Sequence, residues 1–256
     1  MSIAPIHRQL VALAKPGRAE ISRTFFKTGP GQYGKGDRFI GVTVPDLRRV
    51  SRAHRNLPRA QTTLLLKSLW HEERLLALLI LVEQYRKGGG AEKEAIYRLY
   101  FKHTKYINSW DLVDSSAPYI VGPHLNNGDR SPLQRLARSP LIWERRIAIL
   151  STLHFIKQGD YHDTLAIAGA LLNDSHDLIH KAVGWMLREV GNRDRMAEER
   201  FLQKHAPRMP RTMLRYAIER FPPRLRRRYL AVVSTWDQAG QNVRHGGPED
   251  TKVARR

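Results

Sequence analysis

Four side chains at nearly regular spacing are candidates for one reaction site. Trp110 and Asp114 lie four residues apart, so on a helix they share one face. Arg146 follows Asp114 by 32 residues, and Trp185 follows Arg146 by 39. A carboxylate stabilises developing positive charge, indole faces attract cations, and an arginine binds phosphate through two hydrogen bonds. Placed side by side, the four would suit a reaction whose centre becomes cationic.

The same residue types also have structural roles, and spacing alone leaves both interpretations open. Asp111 and Asp114 could cap a helix or pair locally, and Arg145 or Arg146 could join two repeats through an ion pair. A tryptophan in a helix usually belongs to the hydrophobic core. We therefore predict that the core contains Trp70, Trp143 and Trp236.

A glycine-rich stretch, GPGQYGKGD at residues 29–37, contains most of a phosphate-binding loop. Gly29, Gly34 and Lys35 have the spacing of that motif, but Gly36 stands where a Ser or Thr hydroxyl must bind Mg²⁺. The motif must also follow a strand and open a helix, whereas the flanking segments EISRTFFKT and FIG are typical of neither arrangement. The stretch therefore predicts a flexible basic loop rather than a nucleotide site.

Other catalytic signatures are missing from the sequence. It contains no cysteine, which excludes disulfides, zinc ribbons, iron–sulfur clusters and thiol nucleophiles. It has no Gly-x-Ser-x-Gly, and the run His71-Glu72-Glu73-Arg74 lacks the second histidine of a zinc-binding helix. We therefore expect neither a metal nor a cofactor.

Net charge is the strongest compositional signal. Lys and Arg number 44 against 24 Asp and Glu, which gives +20 and an isoelectric point near 10.7. Such an excess favours DNA, RNA or an anionic membrane as partner, the alternative being a basic protein without one. Because the charge is spread through folded sequence, we expect nucleic acid. No signal peptide or membrane span is predicted, so the expected location is the cytoplasm, on the nucleoid when bound to DNA.

Hydrophobic periodicity predicts helices almost throughout, in segments such as RLLALLILVEQY and LIHKAVGWMLREV, and no sheet. A weak repeat appears as four alanines in similar helical settings, with steps of 71, 34 and 35 residues: Ala77, Ala148, Ala182 and Ala217. The first step skips one repeat, expected near Leu112 and Val113. A period near 35 predicts an α-solenoid of the HEAT or TPR kind, whose concave face could cradle a duplex. The tail, residues 238–256, is predicted to be disordered.

Six segments of the sequence resemble segments of one known family. The segments SWDLVD, WERRIAIL and HDLIHKAVGWMLREVG closely resemble the AlkD-like DNA alkylation repair family, as do FFKTGPGQYGKGDRFIGVTVPDLRRV, SLWHEERLLALLIL and RTMLRYAIERF. The resemblance runs in order from about residue 5 to residue 235. It implies one domain of HEAT-like repeats over residues 1–237. It also implies a monofunctional DNA glycosylase that releases cationic bases such as N3-methyladenine and N7-methylguanine without a metal.

The resemblance also implies roles for individual residues. Asp114 matches the family's catalytic carboxylate, Trp110 and Trp185 match tryptophans that contact the deoxyribose, and Arg146 matches the arginine beside the lesion's phosphate. Arg145 is adjacent and could be the matching residue instead. Some relatives lack the acid and the activity. The family further implies that the lesion stays stacked in the duplex while catalysis acts through the sugar.

Several basic residues are expected to contact the DNA backbone. They are Lys35, Arg38, Arg145, Arg188, Arg211 and Arg215. The last two belong to a basic run from Lys204 to Arg228, for which a solvated surface is the equal alternative. We expect a monomer that binds double-stranded DNA. The competing hypotheses are a non-catalytic HEAT-like module for DNA or structured RNA, and a protein scaffold, which explains the charge poorly.

Overall fold

The computed structural model describes residues 2–231, which consist of α-helices joined by turns and short connections. The only β contact within that range is an isolated bridge between Arg38 and Trp70. The predicted all-α fold of helical repeats is therefore confirmed. The tail predicted to be disordered lies outside the described residues, as does Trp236. Within the described residues, no helix is both long enough and apolar enough to cross a membrane.

The chain divides after Asp160 into two compact units, the second of which begins at Tyr161. The first unit contains α1 (Ala4–Ala12), α2 (Arg18–Phe25), α3 (Val44–Ala53), α4 (Arg59–Leu66), α5 (His71–Lys87), α6 (Gly90–Lys102), α7 (Trp110–Asp114), α8 (Ala117–His124), α9 (Ser131–Ala137), α10 (Ile142–Ser151) and α11 (Leu153–Ile156). The second contains α12 (His162–Ala170), α13 (Asp177–Gly191), α14 (Arg195–His205), α15 (Arg211–Ala217) and α16 (Pro223–Leu230). The single domain predicted over residues 1–237 stays a prediction.

The alanines that mark the sequence repeat are all buried residues of helices. They are fully buried in α5, α10, α13 and α15: Ala77, Ala148, Ala182 and Ala217. The position expected for the skipped repeat falls in α7, where Leu112 and Val113 are also fully buried. Each repeat position therefore contributes to the hydrophobic core of its own unit, as a helical repeat requires.

Two helical glycines show how closely neighbouring helices approach within each unit. A Cβ added to Gly122 of α8 would lie 2.4 Å from the carbonyl oxygen of Ser151 in α10. One added to Gly184 of α13 would lie 2.4 Å from the carbonyl oxygen of Met213 in α15. No side chain fits at either place, so these helix pairs pack with their backbones in contact.

Helix α5 begins with buried polar residues although the rest of it is largely apolar. Its first four side chains are almost completely buried: His71, Glu72, Glu73 and Arg74. The carboxylate of Glu72 accepts hydrogen bonds from the backbone N–H groups of Ile40 at 3.0 Å, Gly41 at 2.7 Å and Val42 at 3.4 Å. Gly41 has a φ of 96°, a backbone conformation that favours glycine. Glu72 thereby fastens the connection before α3 to the start of α5.

Two tryptophans predicted to lie in the core are only partly buried, so that prediction was wrong for both. Trp70 immediately precedes α5 and packs against His7, with ring centres 5.8 Å apart. Trp143 lies in the first turn of α10 and contacts Tyr33 edge-on at 5.8 Å. Both stand where the chain enters a helix from a loop, so neighbouring helices cover only part of each ring.

Candidate active site

Asp114 and Arg146 form a largely buried ion pair between two helices of the first unit. Arg146 of α10 donates through Nε to Asp114 Oδ1 at 2.8 Å and through Nη2 to Oδ2 at 2.7 Å. The exposed fractions of the two side chains are 6% for Arg146 and 16% for Asp114. Two hydrogen bonds from a planar guanidinium fix the orientation of the carboxylate as well as its position.

Burial and the neighbouring Arg146 act in opposite directions on the pKa of Asp114. Burial raises the pKa of Asp114 above its usual range, while the hydrogen bonds and charge of Arg146 act to lower it, and the negative charge of Asp111 adds to the rise. Two hydrogen bonds from a guanidinium favour the ionised form of a carboxylate over the neutral form. Arg146 is therefore the group that opposes protonation of Asp114 at this largely buried position.

The short helix α7 separates the core residues of this segment from the candidate site residues. Leu112 and Val113 point into the core and are fully buried. Trp110, Asp111 and Asp114 remain partly exposed on the other side of the same turn. This is the arrangement that the i, i+4 spacing of Trp110 and Asp114 predicts. One helical turn therefore carries both the indole and the carboxylate.

An aromatic cluster supports the indole of Trp110. The ring of Phe26 stacks on it, with centres 5.5 Å apart and planes inclined by 18°. Phe25 meets the indole edge-on at 5.9 Å and is 62% exposed. A cavity of about 320 Å³ adjoins these rings, with His71 and Asp111 also among its lining residues. The indole is thus held by aromatic neighbours and keeps an accessible side.

His71 joins the same site through a network that sequence reasoning missed. Its Nδ1 lies 2.9 Å from Asp37 Oδ2, and its Nε2 lies 2.8 Å from Asp111 Oδ2. Arg74 donates to the other oxygen of Asp37 at 2.7 Å. At this position the sequence lacks a complete zinc motif, and its local pattern indicates no other role. The signal that could have found the network is the run of polar residues at the start of an otherwise apolar helix.

Three basic residues expected at DNA are found in different settings in the first unit. Arg145 donates through Nη1 to the carbonyl oxygens of Ser139 at 2.9 Å and Pro140 at 3.0 Å, so it is tied to the connection before α10. Lys35 and Arg38 are exposed. The stretch that contains them lies between α2 and α3, without the strand and helix of a phosphate-binding loop, as predicted. Of the two neighbouring arginines, Arg146 is the one that contacts Asp114.

The second unit contains the other four predicted site residues. Trp185 lies in α13 and is partly exposed. Arg188, in the same helix, forms an ion pair with Glu219. Arg211 donates to the carbonyl oxygen of Leu230 at 2.9 Å. Arg215, on α15, is exposed. Two of these three arginines therefore have intramolecular partners that the sequence did not reveal.

Comparison with known proteins places the chain in a family. A solved structure described as a predicted DNA alkylation repair enzyme from Enterococcus faecalis matches it with a TM-score of 0.63. The match covers 82% of this chain and 97% of that chain at 14% identity, so the likeness concerns the fold. No curated protein matches the chain. The family model described as DNA alkylation repair enzyme matches residues 6–221, which is most of the sequence. The chain therefore belongs to the DNA alkylation repair enzyme family.

Proposed function

We propose that this protein is a monofunctional DNA glycosylase that hydrolyses the N-glycosidic bond of cationic alkylated purines in duplex DNA. The observation that carries the proposal is the carboxylate of Asp114, which accepts two hydrogen bonds from Arg146 and lies on the same helical turn as the partly exposed indole of Trp110. The resemblance to the AlkD-like family and the membership in the DNA alkylation repair family support the same activity.

The chemistry of the substrate explains why so few groups suffice. Alkylation at N3 or N7 places a positive charge on the purine, so the base can leave without being protonated. The bond from C1′ to the purine nitrogen breaks, and its electron pair goes to the departing base. The deoxyribose is left with an oxocarbenium-like charge. Water then adds to C1′ and loses a proton, which gives the free base and an abasic site.

Asp114 is the group proposed to stabilise the sugar cation. An ionised carboxylate has about four lone-pair positions, so its oxygens can accept from Arg146 and still face a second positive group. The indole of Trp110 would add cation–π attraction of about 0.5–2 kcal/mol when water is excluded, and the role predicted for Trp185 in the second unit is of the same kind. Removing a preorganised electrostatic group of this kind costs roughly a hundredfold to a thousandfold in rate.

Binding to the duplex would depend mainly on charge. The net charge of +20 favours association with phosphates, and contacts to phosphates carry no base sequence. Among the residues predicted to contact DNA, Lys35, Arg38 and Arg215 are exposed, which supports a role for them at phosphates. We therefore expect binding that weakens steeply with salt and has little sequence preference.

The decisive experiment compares wild type with Asp114→Asn on duplex DNA that carries N7-methylguanine. Release of the free methylated base is measured under excess enzyme, together with DNA affinity and melting temperature. Asp163→Asn, which removes the same charge at a largely buried place in the second unit, serves as control. The proposal requires release by wild type and Asp163→Asn, and loss of most release in Asp114→Asn with DNA binding retained.

A second candidate is a non-catalytic module that binds duplex DNA or structured RNA by shape and charge. The observation that favours it is the engagement of both Asp114 oxygens by Arg146, which is also what a purely structural ion pair would show. In that case wild type would bind the duplex in a salt-sensitive manner and release no base. Asp114→Asn would then change stability without changing any reaction.

A further inference from the structure

His71 is held between two carboxylates from different parts of the first unit. Asp37 belongs to the connection before α3, and Asp111 belongs to α7. Each ring nitrogen has one of these carboxylates as its partner, at 2.9 and 2.8 Å. Ionised carboxylates can only accept hydrogen bonds, so both ring nitrogens must carry protons. The geometry therefore describes an imidazolium that ties α7 to the start of α5.

The charges of this network balance one another. Burial acts to lower the pKa of His71, but the charge and hydrogen bond of Asp111 and the hydrogen bond of Asp37 raise it to about 9. Arg74 also donates to Asp37, so the two anions face two cations. The charged or titratable groups that contact His71 or line the same cavity are Asp37, Glu72, Arg74, Asp111 and Arg18. At neutral pH the imidazolium is therefore the expected state.

His71 is also part of the aromatic stack that supports Trp110. Phe39 lies nearly parallel to the imidazole at 4.8 Å, and Phe26 lies against it at 4.7 Å. Phe26 in turn stacks on Trp110 at 5.5 Å. His71 thus reaches the one-turn helix α7 by two routes. One is the hydrogen bond to Asp111, and the other is the stack through Phe26 to the indole.

We propose that His71 is a positioning residue of the reaction, because it bridges Asp37 and Asp111 and so fixes Trp110 and Asp114 of α7 relative to the start of α5. This inference rests on the proposed glycosylase function and adds to it a residue that the sequence did not place in the site.

The charge of His71 also acts on Asp114. Asp111 lies in the same turn as Asp114 and acts to raise the pKa of that carboxylate. The cation of His71 offsets the charge of Asp111 and so favours the ionised state of Asp114.

The test compares four variants under single-turnover conditions on duplex DNA with N7-methylguanine. His71→Gln removes the bridge, and Asp111→Ala removes its attachment to α7. Asp111→Asn is the conservative replacement, since its amide oxygen still accepts from Nε2. The control is His103→Gln, at a buried histidine whose Nδ1 has a carbonyl oxygen, that of Leu99 at 2.8 Å, rather than a carboxylate as its partner among the described residues. Base release, duplex affinity and melting temperature are measured for each variant and for wild type.

We expect His71→Gln and Asp111→Ala to slow base release about tenfold to a hundredfold, the range for displaced reacting groups, with little change in duplex affinity. Asp111→Asn should recover most of the rate. His103→Gln should lower the melting temperature without slowing release comparably. The wild-type rate should also fall above about pH 9, where His71 loses its proton.

Each outcome decides a separate point. Release by His71→Gln at the wild-type rate would overturn the positioning role and leave the proposed function standing. Should His71→Gln fail to fold, the pair Asp111→Ala and Asp111→Asn decides, because equal rates in the two would also overturn it. If wild type releases no base, the proposed function is wrong and the positioning role is wrong with it.

Discussion

Arg146 holds both carboxylate oxygens of Asp114 from the neighbouring helix, at 2.8 and 2.7 Å. The two residues are 32 positions apart in the chain and belong to α10 and α7. The contact gives the buried carboxylate its orientation and opposes the rise in pKa that burial causes. The rate of the proposed reaction should therefore fall at low pH as Asp114 becomes protonated. The pH of this fall, the acid limb of the pH profile, should depend on Arg146.

Arg146→Lys should shift that acid limb to higher pH. Lysine keeps the charge but cannot donate two parallel hydrogen bonds, so the carboxylate loses part of what opposes its protonation. The rate of base release as a function of pH, measured with excess enzyme, checks this. Arg145→Lys, at the adjacent arginine that contacts carbonyl oxygens instead, should leave the limb where it is. Equal shifts in the two variants would contradict the assignment.

The pKa of His71, raised to about 9, predicts a loss of stability at alkaline pH. A raised pKa in the folded state means that the contribution is complete below about 6.5 and is lost as pH rises through 9. The full effect is about 3 kcal/mol, from 1.36 kcal/mol per pKa unit. Denaturant unfolding of wild type and His71→Gln between pH 6 and pH 10 measures it. Their difference in unfolding free energy should shrink as pH rises, and a constant difference would argue against the imidazolium.

Glu198 in α14 should act as a local source of instability at neutral and alkaline pH. Burial raises its pKa to about 8, although the charges of Arg195 and Arg188 act to lower it. Ionisation of Glu198 should therefore lower the free energy of unfolding of wild type as pH rises from about 4.5 to about 8, and Glu198→Gln should lack this part of the loss. Melting temperatures should be higher for the variant at pH 9 and converge below pH 5. Glu20→Gln, at a side chain 71% exposed, is the control and should not raise the melting temperature at pH 9.

Arg215 is expected to contact a DNA phosphate from its exposed position on α15. Removing one phosphate contact lowers the slope of log K against log salt by about one. Duplex affinity measured across a salt series should show this for Arg215→Ala. Arg98→Ala removes the same charge from a side chain that is 77% exposed and paired with Glu94, and it should keep the wild-type slope. A slope unchanged in Arg215→Ala would place this arginine away from the DNA.

The helical architecture could be predicted from the sequence because its signals are periodic. The last three of the buried alanines recur at steps of 34 and 35 residues, and each alanine is fully buried within a helix. The same period predicted that Asp114 and Arg146 would lie on neighbouring repeats, and the structure places them in contact. Their roles in a reaction stay predictions, as does that of Trp185 in the second unit.

Other features could not be predicted, because they depend on contacts between residues distant in the chain. The partners of His71 lie 34 residues before it and 40 after it, outside any local pattern. The ion pair between Arg188 and Glu219 is hidden for the same reason. Trp70 and Trp143 were assigned to the core by residue type, but their places at helix starts leave both rings partly exposed.

The carboxylate of Glu72 binds backbone amides that precede it by 30 to 32 residues. Those amides belong to the connection before α3, which has no regular secondary structure to protect them. Their protection against exchange with deuterated solvent therefore depends on the first turn of α5. The amide protons of Ile40 and Gly41 should exchange together with those of α5, as one cooperative opening unit. A connection without regular secondary structure should then open and close as an extension of α5.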